Sequence, residues 1–158
     1  MSKSLKRVRS ALDGAGIEPD IQETTGSRTA EDAAAAVGCV VDQIVKSIIF
    51  RGEVSGEAIL FLTAGGNRVD AGKASILADE PLGKADASLV RAQTGFAIGG
   101  VSPIGHLNPI RAFLDPRLMD FETVWAAAGT PNHVFAVQPN TLQSLSGAKS
   151  GDFTLSSD

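Results

Sequence analysis

The chain has 158 residues, 43% of them hydrophobic and 20% charged, which is enough apolar material for one continuous core without disulfides or a structural metal. No apolar run approaches the length of a bilayer span, so a membrane protein is not expected, and the single cysteine excludes an internal disulfide and fits a reducing cytoplasm. A formal net charge of -4 argues against extensive binding along a nucleic-acid backbone, DNA in particular.

Leu5, Val8, Ala11, Leu12 and Ala15 recur at helical spacing and Gly14 and Gly16 stand where a helix would stop, which predicts a helix over residues 4–15. The charged residues before it lead into no apolar stretch, so they do not read as a secretory signal. A short strand is expected over 20–24. Thr29 followed by Asp32 approximates a capping box and opens an alanine-rich helix that stops near Gly38. The β-branched run Ile44-Val-Lys-Ser-Ile-Ile-Phe50 reads as a strand and Ala58-Ile-Leu-Phe-Leu-Thr63 as a second, joined as an antiparallel hairpin through the turn between Gly52 and Gly56. After a loop at 64–67, Asp70 caps a helix over 71–78, and Asp86 starts another that ends at Gly95. Further strands are expected at 110–114, 123–127 and 134–137, with a turn or short helix at 118–121 and a short helix at 140–145. The Ser/Gly-rich segment from Ser146 to the end reads as a mobile tail. Helices and strands interleave without a βαβ rhythm or an internal repeat. That predicts a mixed α/β (α+β) fold: one compact domain over 1–158, with a mixed, mostly antiparallel sheet flanked by helices.

Two features carry chemistry. In Gly95-Phe-Ala-Ile-Gly-Gly-Val-Ser-Pro-Ile-Gly-His106 an apolar run opens into close glycines and a proline-fixed turn, so backbone N–H groups are available to a phosphate, a carboxylate or an oxyanion. An ordinary tight turn is the competing account. In the strand after Ile44, alternation puts Lys46 on the same face as Ile44, Ile48 and Phe50. An ammonium on an apolar face costs several kcal/mol unless it reaches water or an anion, so Lys46 serves a pocket or else is solvated at a bulge or an edge. Lys3, Lys6, Arg7, Arg9, Arg68, Lys73 and Lys84 could add to a local positive patch.

Other chemistries lack their parts. The Gly95, Gly99 and Gly100 spacing is not a Rossmann fingerprint, and no phosphate-binding P-loop is present. Cys39 lies in an apolar context that suits a packed thiol rather than a nucleophile. Two histidines and one cysteine, none at ligand spacing, give no metal site and no cofactor is expected. His106 and His133 come after turn segments, where each could act as a base, hold a substrate group or simply sit on the surface. Ser102 has no base identifiable in the sequence.

Taken together, Thr29-Ala-Glu-Asp-Ala-Ala, Gly38-Cys, Gln43-Ile-Val-Lys-Ser-Ile-Ile-Phe50, Gly99-Gly-Val-Ser-Pro-Ile-Gly105 and Trp125-Ala-Ala-Ala-Gly-Thr-Pro-Asn132 resemble the YbaK family, which is related to the editing domain of bacterial prolyl-tRNA synthetase. The resemblance spans nearly the whole chain. It implies a free-standing aminoacyl-tRNA deacylase that clears mischarged tRNA at its 3' acceptor end, without metal or cofactor. Lys46 would then orient the terminal nucleotide, and Gly99, Gly100, Val101 and Ser102 would position the ester carbonyl. Pro103, Gly105, His106, Gly129 and His133 are the accompanying substrate-contact candidates. The segment 125–132 looks more like members with less uniform substrates than the cysteinyl-prolyl or alanyl-prolyl types. A transient contact with an aminoacyl-tRNA synthetase is a further expectation. A non-catalytic module for the tRNA acceptor end or for a synthetase, and a binder of small carboxylates or nucleotides, stay open beside it.

Overall fold

In β2 (Ile44–Gly52) and β3 (Ala58–Ala64) the apolar residues fall on both sides of the strand, so both must lie inside a sheet covered on two faces. A computed structural model, which describes residues 2–156, shows them as an antiparallel hairpin in the register Lys46↔Thr63 and Ile48↔Phe61. Around the hairpin lie β1 (Ile21–Glu23), β4 (Leu82–Lys84), β5 (Arg111–Leu114), β6 (Val124–Ala127), β7 (His133–Val137) and β8 (Lys149–Ser150). The sheet is eight-stranded in the order β1-β7-β6-β2-β3-β5-β8, with β4 paired to β2 off this path. Pairings β1–β7, β6–β7, β2–β3 and β2–β4 are antiparallel, whereas β2–β6, β3–β5 and β5–β8 are parallel.

Among the described residues five α-helices form: α1 (Lys3–Gly14), α2 (Ala30–Val37), α3 (Ala71–Ala78), α4 (Ala87–Thr94) and α5 (Pro139–Ser146). The Thr29 hydroxyl accepts from the Asp32 N–H at 3.1 Å, Asp70 accepts from Gly72 and Lys73, and Asp86 accepts from Leu89 at 2.8 Å. Each satisfies donors that a helix start leaves unpaired. One face of the sheet packs against Leu5, Val8 and Leu12 of α1, Val90 of α4 and Leu142 of α5. The other face is covered in two separate pieces, by Ala74 and Ala78 of α3 with Phe153 and by Ala33 and Ala34 of α2.

One edge of β2 is shared. Its start, Ile44 and Val45, pairs with β6, and its end, Phe50 to Gly52, pairs with β4. Residues 46–49 between them have no strand partner on that side.

The chain departs from its expected course at the end. The segment from Ser146 is not free over the residues described: β8 extends the sheet, Val69 and Thr154 form a bridge, and Phe153 is fully buried. Residues 157–158 of the expected tail lie outside the described residues. The Phe153 ring packs edge-on against Phe61 at 5.0 Å, and Phe61 stacks on Phe113 at 5.2 Å. A ring inside an aromatic cluster outweighs the flexibility that serine and glycine confer. Replacing Phe153 by Ala should therefore cost about 3 to 5 kcal/mol in urea unfolding, whereas a side chain on a mobile tail would change stability by less than about 0.5 kcal/mol.

Candidate active site

Alternation along β2 sends Ile44, Lys46, Ile48 and Phe50 to one face and Val45, Ser47 and Ile49 to the other. Ile44 joins the apolar cluster beneath α2, while Ile48 and Phe50 pack against the cluster beneath α3. Lys46 emerges at the break between these two clusters. The conflict between a cation and an apolar face is thus resolved by a seam in the cover.

The Lys46 ammonium donates to the backbone carbonyl of Asn67 at 2.5 Å. Asn67 is itself tied down, since its Nδ2 donates to Asp115 Oδ2 at 2.9 Å and the same oxygen accepts from the Ala64 N–H at 3.0 Å. Asp115, only 2% exposed, also accepts from the Arg117 N–H. Desolvation holds the Lys46 pKa below the ordinary lysine value. The Glu31 carboxylate opposes that shift, Arg68 reinforces it, and Asp115 and Asp42 oppose it further.

Lys46 and Gly99 line the same cleft, a cavity of about 160 Å³ whose other walls include Arg28, Ala33, Trp125, Thr130 and His133. The glycine loop reaches it from the C-terminus of α4, where Gly95 caps the helix and fully buried Phe96 anchors the start of the loop. Gly99 takes a positive φ of 92°, which favours glycine. Gly100 is needed for a different reason: a Cβ there would lie 2.9 Å from the Thr130 backbone. The two rims of the cleft therefore touch at main-chain distance. The Gly100 N–H donates to the Ala97 carbonyl at 3.0 Å and closes a turn. It is not available to a ligand in this geometry, whereas the Gly99 and Val101 N–H groups have no partner among the described residues.

The remaining candidates separate by place. His133 stands in the cleft, its Nδ1 2.7 Å from the Thr130 hydroxyl. Val101 lines a neighbouring cavity of about 250 Å³ on the far side of Gly99, together with Ser47, Ala85 and Val90. Ser102 is fully buried and its hydroxyl accepts from the Ile104 N–H at 3.3 Å, so it does not face the cleft as a reacting group would. Pro103 is buried beside it. His106 turns inward, with Nε2 2.6 Å from the Ser102 carbonyl and its ring edge-on to Phe96 at 5.9 Å. Since a carbonyl only accepts, Nε2 carries the proton. Burial holds the His106 pKa down, the Ser102 carbonyl opposes this and Arg7 adds to it. Gly105 accepts from Arg7, and Gly129 packs against the backbone of Ser4. Of the expected patch, Lys73 is engaged by Asp152 and by the Thr154 carbonyl.

Arg28, Trp125, Thr130 and Ser47 were not named as site residues from the sequence, although the last three fall in the segments that carry the family resemblance. Ser47 had a signal available, because the alternation that places Lys46 on one face places its neighbour on the other. Its hydroxyl is buried without a partner. Cys39 packs against the cluster under α2, and burial raises its pKa. Among the described residues no group of His, Cys, Asp and Glu side chains could hold a metal ion, and no helix is long and apolar enough to cross a membrane.

The sequence profile of the aminoacyl-tRNA editing domain matches residues 24–145. The chain belongs to the aminoacyl-tRNA editing domain family. It is 35% identical over 147 residues to the uncharacterized protein YwhH of Bacillus subtilis (strain 168), covering 92% of this chain and 93% of that one. It is 30% identical over 137 residues to a proline–tRNA ligase of Desulforamulus reducens, covering 81% of this chain but only 24% of the ligase. A crystal structure described as that of a candidate trans-editing enzyme for prolyl tRNA synthetase superposes with a TM-score of 0.91 at 46% identity, over 99% of both chains. Lys46, Gly99, Thr130 and His133 all lie inside the editing-domain match, whereas α1 lies before it.

The electrostatic account of the editing-domain cleft is directly measurable. Glu31→Gln should lower the Lys46 pKa further and Arg68→Ala should raise it, read from the side-chain NMR signals of Lys46 during an alkaline titration.

Proposed function

We propose that the protein hydrolyses the ester between a wrongly attached amino acid and the terminal adenosine of tRNA, acting in trans on the charged tRNA. The observation that carries this reading is that Lys46 and Gly99 line one cleft. Lys46 is a partly desolvated cation that rests on a neutral carbonyl, so an incoming phosphate offers it a stronger, charge-assisted partner. In this reading it orients the terminal nucleotide. The ester carbonyl then lies at the glycine loop, where an unpaired N–H meets the developing oxyanion.

These parts suffice for hydrolysis without a protein nucleophile. Water adds to the ester carbon and gives up a proton, the tetrahedral oxyanion forms against the loop, and the bond to the ribose oxygen breaks as that oxygen takes the proton the water released. One preorganised donor at such a site contributes about 2.7 to 4 kcal/mol. Ser102 and Cys39 both lie outside the cleft, which fits attack by water rather than a covalent intermediate. The Thr130–His133 pair supplies hydrogen-bonding groups on the substrate side. The ligase match and the description of the superposed structure support prolyl-tRNA and its synthetase as the context, with a transient synthetase contact as part of it. Such an enzyme would work in the cytoplasm, where aminoacyl-tRNA is made.

A panel of mischarged tRNAs tests the proposal. Catalytic amounts of protein should release amino acid over many turnovers from at least one member, while a module that only binds the acceptor end would protect the ester. Lys46→Ala should reduce the rate by about a hundredfold or more with its unfolding midpoint at or above that of the unsubstituted protein. Wild-type rates in that variant would remove Lys46 from the mechanism. After subtraction of uncatalysed hydrolysis, the Lys46-dependent rate should fall as pH rises through the depressed Lys46 pKa, so its alkaline limit lies below that of a free lysine.

A further inference from the structure

Arg7 is a half-buried residue of α1, and among the described residues it forms no ion pair. Its Nε donates to the Gly105 carbonyl at 2.8 Å, and its guanidinium carbon lies 4.4 Å from the centre of the Phe96 ring. Phe96 opens the glycine loop and Gly105 closes it. A single planar group therefore holds both ends. Its Nη2 is buried without a partner among the described residues, so the guanidinium would be a costly filler if stability were its only contribution.

The same helix braces the opposite rim. A Cβ on Gly129 would lie 2.7 Å from the Ser4 carbonyl oxygen, which leaves α1 backbone in direct contact with the turn that carries Thr130. Thr130 in turn meets Gly100 at main-chain distance. Helix, loop and turn close into one ring of contacts, and the loop and the turn each send a residue, Gly99 and Thr130, to line the cleft. His106 belongs to it, packed on Phe96 and bonded to the Ser102 carbonyl.

We infer that Arg7 is a positioning residue for the reaction: by clamping residues 96 and 105 it sets where Gly99 stands relative to Lys46. It does not touch the cleft itself, and it lies before the segment matched by the editing-domain profile. The kinetic part of this inference rests on the deacylase reading, but the clamp does not. Because a catalytic group displaced by about 1 Å can lose on the order of a hundredfold in rate, a loosened loop should be visible in turnover before it is visible in binding.

The test uses the full chain with Arg7→Lys and Arg7→Ala. Lysine keeps the charge and the stem, but it loses the flat fork that bonds Gly105 while stacking on Phe96. Three quantities are read: amide exchange at Gly100 and Leu107, whose N–H groups are bonded to Ala97 and Thr94; exchange at Ile59 to Leu62 in β3; and kcat and KM on the tRNA ester that the wild type cleaves best. In both variants loop exchange should rise about tenfold while β3 stays protected, and kcat should fall about tenfold to a hundredfold with KM within about twofold. The His106 pKa should rise in Arg7→Ala, where the neighbouring positive charge is gone, and change less in Arg7→Lys. Wild-type kcat and loop exchange in Arg7→Ala would overturn the inference. So would full rescue by lysine, which would mean that charge alone suffices, or loss of β3 protection along with the loop in both variants, which would make Arg7 a residue of the fold only. If the wild type cleaves no ester, the deacylase reading fails and the exchange data still decide the clamp.

Discussion

A partly desolvated ammonium stands at the centre of the proposed site. Lys46 lies where the apolar cover of the sheet divides, with the α2 cluster on one side and the α3 cluster on the other. Removing a cation from water is expensive, and a neutral carbonyl repays only part of that. The rest of the compensation is long-range: Glu31, Asp115 and Asp42 each favour the charged form, yet the net effect still leaves the lysine easier to deprotonate than usual. Asp115 contributes twice, through its charge and by fixing Asn67, the residue whose carbonyl holds the ammonium. A cation left underpaired inside a seam is poised for an anion. Those contacts connect a buried aspartate far along the chain to the ammonium on β2.

Much of this arrangement was legible from the residues alone, because it depends on local rules. Asp70, Asp86 and Thr29 act as the caps they resemble, and the period-two pattern placed Lys46 on the correct face of a correctly paired hairpin. What escaped was non-local. β4 is three residues long and contains Gly83, so nothing in its composition marks it as a strand until β2 is there to pair with. β8 lies in a segment whose serines and glycines suggest disorder, and only the aromatic cluster around Phe153 shows why it is held. The parallel pairing of β2 with β6 joins residues far apart in sequence, which a reading by neighbours does not reach. Within the glycine loop, sequence indicated exposed main chain but not which amides are already used. Gly100 closes a turn with its own, and Ser102 and His106 face inward because the loop folds back on Phe96.

The family relationship and the geometry carry different parts of the conclusion. The editing-domain match establishes what kind of domain this is, and the superposed trans-editing candidate shows the same architecture over its full length. The proline–tRNA ligase relative shows that a segment like this one also exists inside a much larger chain. Neither says which atoms do what. The assignment of roles depends on the cleft shared by Lys46, Gly99 and His133, on the adjoining cavity with its buried Ser47 hydroxyl, and on the helix that braces both rims.

The divided edge of β2 has a consequence for the behaviour of the protein in a crowded cell. Unpaired ladder groups ordinarily invite a foreign chain to add as another strand, with aggregation as the outcome. Here the vacant stretch, residues 46–49, is bounded by β6 at one end and β4 at the other, so an intruding peptide would collide with a strand whichever way it slid. The gap is too short to take in anything long enough to form a sheet. Main chain can therefore stay unpaired here without becoming a template for misassembly.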